Sequence, residues 1–419
     1  MSNQIGSLKM DQKFKKTPAG EIPVDWECAS LSSVANIIMG QSPESSACND
    51  KGKGVPFYQG NADFGRLYPV PSSWCTSPTK LAKEGDILIS VRAPVGEINI
   101  APHNCCVGRG LSAIRPTEAD CTYLYYSLFS SSQAFDKLAQ GSTFKAINGG
   151  DLTDLPIALP SSRHEQEKIG QILWAIDENI GKTIDEIEKT KELKNGLMLQ
   201  LFSRGVGHKK FKKTPVGEIP IEWGLVELGD VCAVTKLAGF EYTKYFQYKK
   251  DGEIIALRAL NIKGEELDLS DVQTIDLAVS NGLLRSKLFE GDVVITYIGN
   301  IGDVLRIPES NKYHLAPNIA KITPTAEYHS WFLLRVLQSN IGQRQLRSLT
   351  ATTAMPSLTM QQIRKIVLPK PSPAEQDEIT NILSVVVDNI KRQEEGLSKL
   401  LGLRTAIMRV LLTGKVRVI

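Results

Sequence analysis

Net charge is nearly absent from this 419-residue chain: 49 Lys and Arg stand against 46 Asp and Glu, a balance of +3. Composition alone therefore announces no nucleic-acid ligand, and a DNA-binding face would have to arise from local clustering. No apolar run approaches the ~20 residues that a membrane-spanning helix needs. The opening residues carry no apolar signal region. Cysteines number seven, six of them before residue 122, with no Cys-x-x-Cys pair and with Cys105 beside Cys106. That distribution suits neither a disulfide framework nor a zinc site. A cytoplasmic protein without membrane contact is the expectation.

Catalytic signatures are equally scarce. There is no GxxxxGK[ST], HExxH or GxSxG, and no Asn-Pro-Pro-aromatic run. Gly108–Ala113 has GxGxxA spacing, but Pro116 closes a β-like run where a dinucleotide fold needs a helix. Glu192 and Lys194 match a nuclease-like ExK pattern on what reads as a charged helix face. The five histidines are scattered, and His103 and His314 read as turn or surface residues. No catalytic residue, metal site or cofactor is expected in this chain.

What the sequence does contain is a repeat. FKKTPAGEIPVDWE from Phe14 returns as FKKTPVGEIPIEWG from Phe211, with ten of 14 positions identical. EGDILIS at Glu84 answers EGDVVIT at Glu290, and HEQEKIGQIL from His164 answers AEQDEITNIL from Ala374. GLMLQLFSRG from Gly196 answers AIMRVLLTGK from Ala406. The chain is two copies of one unit of about 200 residues. Each unit consists of the opening segment, a mixed domain of short strands and turns, and a long helix. The expected division is a first domain over 1–160, a helix over 161–205, a second domain over 206–371, and a helix with tail over 372–419.

Both helices carry start signals. Ser162 with Glu165, and Ser372 with Pro373 and Glu375, read as capping boxes. Apolar steps of three and four include Ile169, Ile176, Ile180 and Ile187 in one helix, and Ile379, Val386, Ile390 and Leu397 in the other. They define an a/d seam along rods of roughly 60 Å. Lys191, Gln393 and Arg404 interrupt the seam and are candidates for setting its register. The opening motif follows a long helix in one copy only. Equivalent units therefore predict a circular arrangement, with the C-terminal LLTGKVRVI near Phe14 and with Trp26 plugging the turn.

Polar and basic loops fall at matching places in the two domains. Candidate DNA contacts in the first are Gln59, Asn61, Arg66, Arg92, Ser142, Thr143, Lys145 and Asn148. In the second they are Arg258, Asn261, Lys263, Tyr297, Asn300, Arg347, Thr350, Thr352 and Thr353. Arg92 and Arg258 have the forked donors that suit guanine, whereas Lys145 and Lys263 suit phosphate.

Taken together, the opening motifs, the EGD strands, the EQ-type helix entries and the helix ends resemble the DNA-specificity subunit of type I restriction–modification enzymes. The resemblance covers residues 14 to 417. It implies an α+β chain in which two mixed α/β target-recognition domains are separated by two long antiparallel coiled-coil helices. Each domain would read one half of a bipartite, asymmetric target in double-stranded DNA. The helices would dock two modification subunits that hold S-adenosylmethionine, and restriction subunits using ATP and Mg would join them. None of that catalysis would reside in this chain. Two other classes stay open. A stand-alone DNA-modifying enzyme is opposed by the missing motifs. A structural coiled-coil adaptor without a nucleic-acid role is opposed by the paired loops.

Overall fold

The repeated opening segment is a β-hairpin in both copies. Phe14–Thr17 pairs antiparallel with Gly20–Pro23, and Phe211–Thr214 pairs with Gly217–Pro220 in the same register. The structure, a computed structural model, describes residues 13–131, 135, 146–350 and 357–418. Gly20 and Gly217 close the turns at φ of 105° and 117°, a region that costs glycine alone little. The hydroxyls of Thr17 and Thr214 donate to the carbonyls of those glycines. Trp26 and Trp223 follow, both buried, and their amides bond to Pro23 and Pro220.

Two units emerge from the fold, Met1–Ile184 with Glu395–Ile419, and Asp185–Glu394. Each contains one mixed domain, part of the first long helix (Arg163–Arg204) and part of the second (Pro373–Leu411).

In the first unit, Glu27–Ser30 pairs with Pro156–Leu159, so the domain closes on itself. A four-stranded antiparallel sheet runs in the order Ile98–Ile100, Ile87–Ser90, Leu111–Pro116, Ala35–Met39. A second sheet joins Val55–Tyr58 to Cys105–Val107 in parallel. The helix Cys121–Ser130 buries Tyr123, Leu124, Tyr126 and Leu128 in the main core. Ile169 and Leu173 from the first long helix enter the same core, as do Met408, Leu411 and Leu412 around the end of the second.

The second unit repeats this plan. Gly224–Glu227 pairs with Val367–Lys370. The four-stranded sheet runs Cys232–Lys236, Ile319–Pro324, Val293–Thr296, Val304–Arg306. Ile254–Leu257 and Tyr313–Leu315 form the parallel pair. The repeated Glu-Gly-Asp is a turn whose aspartate ties it shut: Asp86 accepts from the Lys83 amide at 2.7 Å and Asp292 from the Phe289 amide at 2.8 Å. The run from Ser330 to Thr350 forms two helices, Ser330–Gln338 and Asn340–Thr350. Ser339 breaks it by donating back to Val336 and accepting from the Ile341 amide.

The start of one long helix packs with the end of the other in each unit. Met198, Leu201 and Phe202 share a core with Ile379 and Leu383 in the second, matching the first-unit grouping above. The helices therefore run antiparallel. Ile169, Ile180, Ile187, Ile379 and Ile390 are buried, while Ile176, Val386 and Leu397 are half-buried. Two of the three polar interruptions pair across the helices, Lys191 with Glu394 at 2.6 Å and Arg404 with Asp177 at 3.0 Å. Gln393 leaves its side-chain oxygen buried without a partner.

One expectation needs correcting at the helix starts. Ser372 does cap, accepting from the Glu375 amide at 3.3 Å, but the Glu165 and Glu375 carboxylates do not complete capping boxes. They hold the joint between helix and hairpin. Glu375 accepts from the Val206 amide, His208 and the Trp223 indole at 3.0, 2.9 and 2.8 Å. Glu165 instead receives Arg417 through two bonds of 2.5 and 2.7 Å, and Arg417 also reaches Asp25. The C-terminal tail thus meets the opening segment, as the circular arrangement requires.

Candidate nucleic-acid interface

Strand pairing gathers particular loops at one end of each four-stranded sheet. In the first unit, Leu111 pairs with Ser90, and Ser112 with Met39. The ends of Ala35–Met39 and Ile87–Ser90 therefore lie beside the start of Leu111–Pro116. Arg92 bridges to Ala146, and the Ile147 amide bonds to Val91. This brings Asn148 to the same end. The Gly110 amide bonds to the Gln59 carbonyl at 3.1 Å, which adds Gln59. Gln59, Arg92 and Asn148 are exposed there. Asn148 caps the short helix Gly149–Thr153 with its side-chain oxygen, so its NH2 group is the part able to reach a base. Asn61 sits beside them and donates to Glu97 at 3.3 Å.

In the second unit Lys236 pairs with Ala320, and Thr296 with Ile319. The Tyr297 amide bonds to Asn318, Ile298 bridges to Ser357, and the Ala316 amide bonds to Leu257 just before Arg258. Arg258, Tyr297 and Asn300 so converge on the equivalent sheet end. Arg258 occupies the position of Gln59, each one residue beyond the parallel strand pair. Its fork is partly engaged, with Nη2 donating to the Asp271 carbonyl at 2.7 Å and lying 3.3 Å from the Asp271 carboxylate. Its Nε is buried without a partner. Tyr297 is 9% exposed, with the Lys236 ammonium 5.8 Å from its ring, and burial raises its phenol pKa. Asn300 is exposed and donates to Asp303 at 2.6 Å. Burial raises the Asp303 carboxyl, against the lowering effect of that bond.

Other expected residues do different work. Asn261 is not at the surface: it is fully buried, and its amide donates to the carbonyls of Asp268 and Asp271 while accepting from the Arg258 amide. Buried amides with all groups bonded hold loops in shape. Arg66 lies across Gly181 and donates to the Asp177 carbonyl of the first long helix at 3.2 Å. Glu265 in the second unit plays the matching part, receiving Lys194 of the same helix and Arg335, each at 2.6 Å. Both loops dock a domain on a helix. Lys263 pairs with Asp268 at 2.5 Å and is itself well exposed. Arg347 is exposed in the last turn of its helix, and the Thr350 hydroxyl bonds back to Leu346 and Arg347. Ser142, Thr143, Lys145, Thr352 and Thr353 lie outside the described residues. His314, read as a turn or surface residue, is buried in the strand Tyr313–Leu315. His103 bonds to the Tyr58 hydroxyl at 3.2 Å.

The family model described as type I restriction modification DNA specificity domain matches residues 23–192 and 220–400. The chain belongs to this family. It is 44% identical over 195 residues to the putative type I restriction enzyme MjaX specificity subunit of Methanocaldococcus jannaschii, a match covering 45% of this chain and 46% of that one. The MjaVIII specificity subunit of the same organism is 24% identical across 97% of both chains. Among solved structures, the type I S subunit from M. genitalium superposes with a TM-score of 0.60 at 17% identity, covering 96% of this chain and 98% of that chain. That likeness speaks to the fold. No helix among the described residues is long and apolar enough to cross a membrane.

Within this specificity-domain frame the structure adds residues the sequence reading omitted. Arg109 is exposed at the first sheet end, its amide 3.5 Å from the Ser42 hydroxyl. It was set aside inside the glycine-rich GRGLSA run, and only the pairing of Leu111 reveals its place. Lys236 and the aromatic residues after it occupy the second sheet end. Their interleaving with lysines was the available sequence signal.

Proposed function

We propose that this chain, as a member of the specificity family, reads a bipartite, asymmetric target in double-stranded DNA. Each unit would contribute one reading surface, at the loop-bearing end of its four-stranded sheet. The observation that carries the reading is the duplication itself. Hairpin, EGD turn and helix entry recur in closely similar sequence, whereas equivalent loop positions differ: Gln59 corresponds to Arg258, and Arg92 to Ile298. One scaffold bearing two unlike polar surfaces suits two unlike half-sites. Linking two weak readers in one chain raises affinity through effective concentration. Catalysis is assigned to partners, modification subunits that dock on the long helices and restriction subunits that join them.

The test is to express the chain with its modification subunit and read the methylated sequences in the genome. A split motif with two different halves is the expected result. Replacing residues 26–160 with the matching domain of a relative should alter one half alone. Methylation without a split motif, or alteration of both halves, refutes the reading.

A further inference from the structure

Five of the nine residues from Phe240 to Tyr248 are aromatic, in a chain whose composition is 7% aromatic. This segment leaves the sheet end immediately after Lys236. The short helix Gly239–Tyr245 is fixed at its start by Glu241, which is buried and accepts from the Ala238 amide at 2.8 Å and the Ser286 hydroxyl at 3.1 Å. Phe246 anchors the other end. It is buried, with its ring 5.8 Å from that of His314, 5.7 Å from that of Tyr242 and 5.5 Å from that of Tyr248. On this rigid base Phe240 stands 65% exposed, with Tyr245 44% exposed beside it.

Single exposed apolar residues need no explanation, but a fixed cluster of them on an anchored element does. The charges on the segment suggest its occupant. Glu241 faces inward, so Lys236 and Lys244 set the sign between the aromatic residues, and both are exposed. Cations interleaved with aromatic faces favour a nucleic acid over an apolar protein groove. The segment is also continuous with Tyr297, whose ring lies beneath Lys236. Its first-unit counterpart, residues 40–54, contains no aromatic residue and runs through the 3-10 turn Ser45–Ala47.

We propose that residues 236–250 form a base-reading element for one half-site, with Phe240 the apolar contact to bases in the groove and Lys236 and Lys244 holding flanking phosphates. The proposal rests on the function given above and adds that the two half-sites are read by chemically different devices, one aromatic and one polar. Apolar contact to a base edge discriminates by shape and by the thymine methyl group.

The experiment uses the complex of this chain with its modification subunit, after the wild-type methylated motif is known. Binding is measured to a duplex with both half-sites intact and to two duplexes with one half scrambled. Phe240→Ala should weaken binding to the intact duplex by roughly tenfold, the scale of one mismatched base pair. It should leave binding unchanged where the half-site read by the second unit is scrambled, and relax the methylated motif in that half alone. Phe240→Tyr, which keeps the ring, should restore most of the affinity. Unchanged affinity and motif for Phe240→Ala would overturn the proposal. So would loss of the modification subunit on gel filtration with selectivity intact, since the patch would then serve a protein partner. A wild-type complex with no sequence preference would instead overturn the specificity reading itself, and this proposal with it.

Discussion

The Arg417 guanidinium lies 2.9 Å from the Asp25 carboxylate, although 392 residues separate them in sequence. The same guanidinium holds both oxygens of Glu165, whose side chain is 2% exposed. Salt bridges here stand where the second unit has continuous chain from Arg204 through His208. The Trp26 indole nitrogen is buried without a partner, whereas its counterpart Trp223 donates to Glu375.

Arg417→Ala should lower the unfolding free energy by about 2–3 kcal/mol. It strands a buried carboxylate, and the usual cost of breaking a buried pair is discounted for the partial exposure of the arginine. Asp25→Ala, at the exposed end of the same contact, should cost less than about 1 kcal/mol. Urea titrations of the two variants separate these values, and equal losses would contradict the account.

Asp177 is the meeting point on the first long helix. Its carboxylate accepts from Arg404 at 3.0 Å and from the Tyr126 hydroxyl at 2.9 Å, and its carbonyl accepts from Arg66. Asp177→Ala leaves Arg404, whose Nε already lacks a partner, and Tyr126 without acceptors. A loss of about 3 kcal/mol is expected. Combining Asp177→Leu with Arg404→Leu should recover much of it, because an apolar pair needs no partner. A double variant no more stable than Asp177→Ala would argue against this.

Asn261→Ala removes the hydrogen bonds that shape the Arg258–Asp271 loop. The Asp268 carbonyl and the Arg258 amide lose the Asn261 side chain, while the Asp271 carbonyl keeps Arg258 Nη2. A buried group left unpaired costs about 1–3 kcal/mol. Faster proteolysis within residues 262–271 is the direct readout. Recognition should fail in the half-site of the second unit while the other half persists. Arg92→Ala should show the converse, with discrimination lost in the first half and stability unchanged.

His314 predicts an acid-sensitive unit. Burial lowers its pKa to about 4, with nearby Lys321 and Lys287 adding to the effect against Glu241, and its Nδ1 lies 3.0 Å from the Ser280 hydroxyl. In the unfolded chain the group titrates near 6.5. The folded state resists a proton that the unfolded state accepts, so stability is full above about pH 6.5 and declines as pH falls through about 4. A shift of this size corresponds to roughly 3 kcal/mol. His314→Gln should flatten the slope between pH 6.5 and 4 in thermal unfolding, and an unaltered slope would assign it elsewhere.

How much of this was legible in the sequence depends on whether the cause is local. The helix starts rest on residues within four positions of one another, and the helices begin at Arg163 and Pro373, directly after Ser162 and Ser372. The EGD stretch, read as strand, opens with a turn. The seam was legible because a repeating apolar step has one geometric reading. Asn261 was misread, and the docking contact of Arg66 was missed, because solvated loops and docked loops use the same polar residues. What separates them is the arrival of Asp268, Asp271 or Gly181 from elsewhere. Arg109 was hidden for a related reason: strand order, not spacing, brings Leu111 beside Ser90. The Glu165 and Glu375 carboxylates fitted a local rule, but partners distant in sequence claimed them.

The noncontiguous make-up of the first unit also sets an order of events during synthesis. Asp185–Glu394 is one uninterrupted stretch, whereas the first unit draws its last piece from Glu395–Ile419. A ribosome delivers the N-terminal domain first, and domains ordinarily fold as they emerge. Here Ile169 and Leu173 must wait for Met408, Leu411 and Leu412, and Glu165 for Arg417. The domain made first is therefore the one completed last. A nascent chain that has delivered Glu394 but not yet Glu395–Ile419 carries one complete unit and one whose core is still open.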